Sequence, residues 1–200
     1  MKIAIISDIH ENFHNLIRAF KKMNEIDVEY ILCLGDLINP GIGKLLATQD
    51  IPVFLIWGNN DGDRVEITLA SKAENSVLTV SPRTFDFIEL DGRKIFLTHY
   101  DDLAEPMAKT GLYDAVFFGH SHDMHFSQIE NCWLVNPGEI AASKTKKATM
   151  AVYDTTAHQI ELIELEDIIH LKSDLMVSYF TEHAHKMNLR STLLDPKAKS

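Results

Sequence analysis

Five short apolar runs in this chain end in the same way, and that repetition constrains the fold more than any other feature. Ile3–Ile6 leads into Asp8-Ile9-His10, Ile31–Leu34 into Gly35-Asp36, and Val53–Ile56 through Trp57 into Gly58-Asn59-Asn60-Asp61. Ile95–Leu97 leads into Thr98-His99, and Ala115–Phe118 into Gly119-His120-Ser121-His122. Runs apolar on both faces fit strands of a mostly parallel sheet covered by helices. In such sheets the ligand crevice lies beyond the carboxyl ends of the strands, where rigid elements aim side chains accurately. Two Asp, one Asn and four His are therefore expected to meet at one edge.

Between the first two runs, Phe13, Leu16, Ile17 and Phe20 recur at the spacing of an amphipathic helix, and a shorter helix is expected near Lys44–Thr48. From about Val77 the pattern turns toward hairpins. Thr84–Leu90 and Arg93–Thr98 flank Asp91-Gly92, a type I′ turn signal, and residues 115–118, 126–135, 147–153 and 159–165 read as further strands. A parallel half followed by a hairpin half predicts two packed sheets with helices outside, an α/β/β/α sandwich over residues 1–166. Residues 167–188 read as a helix with Ile168, Leu171, Leu175 and Tyr179 on one face, followed by a polar tail to Ser200. That face is expected to pack on the domain or against a second copy of the chain.

At 200 residues, with 46% apolar and 24% charged, the chain has the size and composition of one globular domain. A net charge of −10 argues against long nucleic acids as partners, because counterion release needs clustered Lys and Arg. No stretch approaches the roughly 20 apolar residues of a membrane span, and no signal-peptide pattern opens the chain. Cys33 and Cys132 stand singly in apolar runs and read as reduced core thiols, so the expected compartment is the cytoplasm. Histidine, with ten copies, is the unusual count, and it is the commonest metal ligand.

The candidate ligands Asp8, His10, Asp36, Asn59, His99, His120 and His122 offer oxygen and imidazole nitrogen without sulfur. Such donors suit Mn, Fe, Zn, Co or Ni better than Ca. Seven are too many for one tetrahedral zinc and match two ions sharing a bridging carboxylate. Gly35, Gly58 and Gly119 directly precede ligands, where the backbone must approach closely.

In this order, Asp-x-His, Gly-Asp, Gly-Asn, a lone His after a strand and Gly-His-x-His resemble the calcineurin-like metallophosphoesterase superfamily, in particular its small single-domain phosphodiesterases. The resemblance spans about residues 1–165. It implies that Asp8, His10 and His122 hold one metal ion and Asn59, His99 and His120 the other, with Asp36 bridging. It implies two divalent transition-metal ions, Mn first among them, and a small phosphate-ester substrate. The reaction implied is hydrolysis by in-line attack of a metal-bridging hydroxide, with Asp36, Asn59, Asn60 and His99 as catalytic residues. Two ions, two carboxylates and a hydroxide leave a charge of about +1, attractive to a phosphodiester monoanion.

Four positions depart from the family pattern. Asn60 stands where a proton-donating His is frequent, and an amide cannot transfer a proton at neutral pH. Glu11 and Tyr100 stand where Gly is usual, and Glu139 replaces a Ser after Asn136-Pro137-Gly138. Esters with good leaving groups are therefore the expected substrates, unless water or His14 supplies the proton.

Plainer readings stand beside these. A lone strand-end His is usually a surface residue and Asp8 or Asp36 a turn former, so the set carries the argument rather than any member. Asp61 is expected to orient a ligand His or to lie in water. His14 either approaches the site or does not, while His125 and His158 read as strand-edge or turn residues. His183 and His185, two apart on the expected helix, point to different faces. Lys144, Lys146 and Lys147 form a solvated basic loop or grip an anion. Gly41-Ile42-Gly43-Lys44 lacks phosphate-loop spacing. The alternative function is a protein-binding scaffold on the same fold, as in the retromer subunit that resembles this family.

Overall fold

The computed structural model describes residues 1–170. Eleven strands and four helices alternate within them: β1 (Lys2–Ile6), α1 (Phe13–Glu25), β2 (Tyr30–Cys33), α2 (Pro40–Ala47), β3 (Val53–Leu55), α3 (Arg64–Ser71) and β4 (Leu78–Val80). There follow β5 (Phe85–Leu90), β6 (Arg93–Thr98), α4 (Asp101–Ala108), β7 (Ala115–Phe117), β8 (His125–Ile129), β9 (Cys132–Asn136), β10 (Thr149–Asp154) and β11 (Gln159–Glu164). One sheet has the order β11-β10-β1-β2-β3-β4 and the other β5-β6-β7-β9-β8.

Strand periodicity explains the layers. Ile3 and Ile5 point to one side of β1, where they meet Leu32, Leu34, Ile95, Leu97, Phe117 and Val135 between the sheets. Ala4 and Ile6 point to the other side, against Phe13, Leu16 and Phe20 of α1. Phe96, Val116 and Leu134 turn outward beneath Ala104 and Ala108 of α4. The result is the expected α/β/β/α sandwich, and double-sided burial is why these runs are continuously apolar.

Both sheets are mixed. β1, β2, β3 and β4 are mutually parallel, as are β6, β7 and β9, while β10, β11, β5 and β8 pair antiparallel. The expected hairpins form as β5–β6, β8–β9 and β10–β11, but this half is not wholly antiparallel, because α4 carries the chain across from β6 to a parallel β7. The 126–135 run divides into β8 and β9 around Glu130 and Asn131, with Glu130 at φ +54°. Asp91 and Gly92, at φ +49° and +74°, make the expected tight turn between β5 and β6.

α2 starts earlier than expected, capped by the Asn39 side chain on Gly41 N and Ile42 N, and this absorbs the Gly41–Lys44 segment into a helix. The expected helix from 167 to 188 lies outside the described residues from 171 onward, together with the contact to a second copy attached to it. Residues 167–170 are not helical. Instead Ile169 is clamped to α1, with Asn15 pairing with its N–H and C=O at 3.0 Å and Asn12 Nδ2 reaching its oxygen at 2.9 Å.

Candidate metal centre

The carboxyl ends of β1, β2, β3, β6 and β7 bring the ligand-type residues to one edge. Asp8 is fully buried. Its Oδ2 accepts from Ser7 Oγ at 2.7 Å and from His120 N at 3.0 Å, whereas Oδ1 accepts no hydrogen bond among the described residues. That oxygen faces His122 Nε2 at 3.3 Å and His10 Nε2 at 3.7 Å, and the two ring nitrogens are 3.3 Å apart. His122 Nδ1 lies 2.6 Å from Glu139 Oε2. The Glu139 carboxylate already takes hydrogen bonds from Ser143, Lys144 and Thr145, so it acts as an acceptor and Nδ1 carries the proton. His122 Nε2 then presents a lone pair to the Asp8 oxygen. Two facing lone pairs in a buried site are unfavourable unless a proton or a metal cation lies between them.

A second group repeats the pattern. His99 Nδ1 donates to Leu34 O at 2.7 Å, since a carbonyl can only accept, and Nε2 faces Asn59 Oδ1 at 2.9 Å and Asp36 Oδ1 at 3.5 Å. The other Asp36 oxygen lies 3.4 Å from His10 Nε2. Asp8, His10 and His122 bring one donor atom each to within 4.8 Å of one another, and so do Asp8, Asp36 and His99. These residues fit divalent metal ions in donor type, burial and orientation.

The loops are held by unusual backbone. Asp8, His10, Asp36, His120 and His122 all have positive φ, between 42° and 69°, a region sparsely used outside Gly, Asn, Asp and His. Their concentration at one edge is the mark of a functional site that the rest of the fold must stabilise. Glu11 shares this conformation at φ +63°, which is why Gly suits that position, and its Oε1 accepts from Asn39 Nδ2 at 2.7 Å. A Cβ on Gly58 would collide with the Asp36 carboxylate, and one on Gly119 with the Ser7 hydroxyl.

Asp61 corrects an expectation. It orients no His; its carboxylate accepts from Leu37 N and Gly58 N at 2.6 Å each and from Asp36 N at 3.1 Å, binding the β2 and β3 loops together. Asn60 donates its backbone N–H to Asp36 Oδ1 and its Nδ2 to Asp36 Oδ2, both at 2.8 Å. His120 belongs to neither group of convergent donors among the described residues. Its ring stands beside those of His99 and Tyr100, with centroids 5.2 and 5.3 Å away. His14 lies against the Asp167 carbonyl, Nε2 to O 2.8 Å. His125 starts the edge strand β8 and His158 closes the β10–β11 turn region, as expected. Lys146 Nζ donates to Ser143 O and Lys147 Nζ to Glu164.

Charge balance follows the geometry. Burial alone would raise the Asp8 carboxyl; protons on the neighbouring His10, His99 and His122 rings, together with the Ser7 hydroxyl, hold it below its ordinary value, the part a cation would take when those rings present lone pairs. Burial opposes charge on His10, yet Asp8 and Asp36 raise its pKa. Glu139 behaves like Asp8: burial pushes it up, and hydrogen bonds from His122, Thr145 and Ser143 outweigh this and keep it ionised. Sequence reasoning noted Glu139 only as a departure from a family pattern. Its partners, 4 to 17 residues away along the chain, become visible only when the fold brings them together.

Known proteins resemble this chain in sequence and fold. The sequence profile of the calcineurin-like phosphoesterase superfamily domain matches residues 1–158. A phosphodiesterase of Methanocaldococcus jannaschii is 31% identical over 168 residues, covering 83% of this chain and all of the relative. The solved structure of an archaeal phosphodiesterase superposes with a TM-score of 0.75 at 29% identity, over 82% of this chain and 100% of that one. A phosphoesterase from E. coli gives 0.62 at 19% identity over 83% and 100%, a likeness of fold. Residues, fold and profile agree: the chain belongs to the calcineurin-like phosphoesterase superfamily, the metal-dependent phosphoesterases.

Proposed function

We propose that this chain is a phosphodiesterase that hydrolyses a small phosphodiester at a centre of two divalent ions. The observation that carries the reading is the convergence of oxygen and imidazole donor atoms at two adjacent points, Asp8–His10–His122 and Asp36–His99–Asn59, with Asp8 Oδ1 accepting no hydrogen bond among the described residues. Asp36 faces both, one oxygen 3.4 Å from His10 and the other 3.5 Å from His99, as a bridging carboxylate would. Asn59, His99 and His120 would hold the second ion. Two such ions would supply a water of lowered pKa as nucleophile and would neutralise charge on the phosphoryl oxygens.

The chain's own residues set the rest. Asn60 fixes the Asp36 carboxylate through two hydrogen bonds and has no proton to give the leaving oxygen, so esters with good leaving groups are favoured. Oxygen and imidazole donors suit Mn, Fe, Co, Ni and Zn; Mn, the weakest binder of the series, is placed first on the family resemblance and not on affinity. The overall charge of −10 confines attraction for phosphate to the cleft and selects small substrates. Two free, buried cysteines support a cytoplasmic compartment, and no helix among the described residues is long and apolar enough to cross a membrane.

The test uses protein stripped with a chelator and reloaded singly with Mn, Fe, Co, Ni or Zn, assayed on bis-p-nitrophenyl phosphate. Turnover restored by at least one metal and abolished by Asp36→Ala is expected. Silence with all five would overturn the reading and leave a binding role on the same fold.

A further inference from the structure

Glu139 is fully buried, lies outside every strand and helix, and is saturated with donors. Oε2 accepts from His122 Nδ1 at 2.6 Å and Ser143 Oγ at 2.7 Å. Oε1 accepts from Thr145 N at 2.7 Å, Lys144 N at 2.8 Å and Thr145 Oγ1 at 2.9 Å. The backbone on either side is pinned as well. Thr149 N donates to Glu139 O at 2.9 Å, while Ile140 N and Ala141 N donate to Ser7 O and Asp8 O at 3.1 and 3.0 Å. The carboxylate therefore sits on a platform fastened to the strand end that carries Asp8.

The loop donors explain only part of this. Two amides and two hydroxyls could be satisfied by a neutral acceptor at far lower desolvation cost than a buried charge. What a carboxylate adds is a strong, acceptor-only partner for His122 Nδ1. We propose that Glu139 is a positioning residue for metal binding. It holds the proton on His122 Nδ1, aims the Nε2 lone pair at Asp8 Oδ1 and His10 Nε2, and ties that ring to the 143–145 loop. This deepens the two-ion reading and rests on it. Partners of this kind set the tautomer and orientation of metal-binding imidazoles, and their loss typically costs about 10–100-fold in metal affinity.

The discriminating variant is Glu139→Gln. Its amide oxygen can keep the three loop hydrogen bonds now made to Oε1, which turns the NH2 group toward His122 Nδ1. That group must donate, so the proton moves to Nε2 and covers the lone pair. Titration of chelator-stripped protein with Mn²⁺, followed calorimetrically and by elemental analysis, should find two ions on the wild type. Glu139→Gln should keep one at unchanged affinity and bind the other about 10–100-fold more weakly. His122→Ala should weaken the same ion, and the double variant should be no weaker than His122→Ala. Ser143→Ala, which removes a loop contact without touching the ring, should bind both ions normally.

Two ions bound by Glu139→Gln with wild-type affinity, or additive losses in the double variant, would overturn the inference. A wild type that binds no ion would overturn the two-ion reading and this inference with it. If Glu139→Gln fails to fold, two-bond ¹H–¹⁵N correlation of the histidine rings in metal-free wild type decides. A proton on Nδ1 of His122 is expected, and a proton on Nε2 alone would refute the positioning role.

Discussion

Asp61→Asn offers a test of how the ligand loops are held, because its effect can be worked out bond by bond. Oδ2 of Asp61 serves both Gly58 N and Asp36 N, and Oδ1 serves Leu37 N. An asparagine keeps a single acceptor oxygen. With that oxygen in the Oδ2 place, its NH2 group confronts the Leu37 N–H, donor against donor. One charge-assisted bond is lost outright, worth about 1.5–3 kcal/mol, and the two that remain fall to the strength of neutral bonds. Asp61 is partly exposed, so water recovers some of this, and a net loss of about 2–3 kcal/mol is expected. That is a large share of the roughly 5–15 kcal/mol available to a domain. Urea unfolding of the metal-free protein, extrapolated linearly, measures it. The same change loosens the backbone at Asp36 and Gly58, so Mn²⁺ affinity should fall about 10–100-fold in parallel. A loss below about 0.5 kcal/mol with unchanged affinity would refute the idea that this carboxylate holds the loops.

Asn60→His should restore a proton donor beside the leaving oxygen. It should speed hydrolysis of alkyl phosphodiesters about 10–100-fold while changing bis-p-nitrophenyl phosphate little, and equal effects on both substrates would count against the assignment. Burial pushes the Cys132 thiol up to about 11 and the fully buried Cys33 thiol higher still, so neither forms thiolate near neutral pH in the fold. Ellman's reagent at pH 8 should therefore find no reactive thiol in native protein and two in guanidinium; rapid native reaction would contradict the burial.

The strands that carry ligands were legible because both of their faces are buried, so Ile3–Ile6 and Ala115–Phe117 are apolar throughout. α3 and α4 were not. In α3 the apolar Val65 and Leu69 face solvent, 70% and 60% exposed, while Ile67 alone of its residues is buried, so periodicity gives no consistent face. The readable sign was its start, where Asp63 caps Glu66 N three residues on. α4 buries only the small Ala104 and Ala108 and contains Pro106, which argues against a helix on propensity. The ligand set was legible as motifs, but its support was not: Asp61 and Glu139 act on partners that only the tertiary fold assembles. β4 was missed as a strand because Leu78–Val80 is short and sits where the pattern shifts toward hairpins.

The left-handed backbone at the candidate metal centre restricts chemistry as well as shape. At Asp8, His10, Asp36, His120 and His122 the chain adopts a conformation that Asn, Asp, His and Gly tolerate and that branched side chains resist. Short polar and ring side chains, which donate through oxygen or imidazole nitrogen, are favoured there, although Glu11 and Ile38 beside them adopt the same backbone. The main chain thus favours oxygen and imidazole donors at this edge, a donor set in keeping with the metals that activate water.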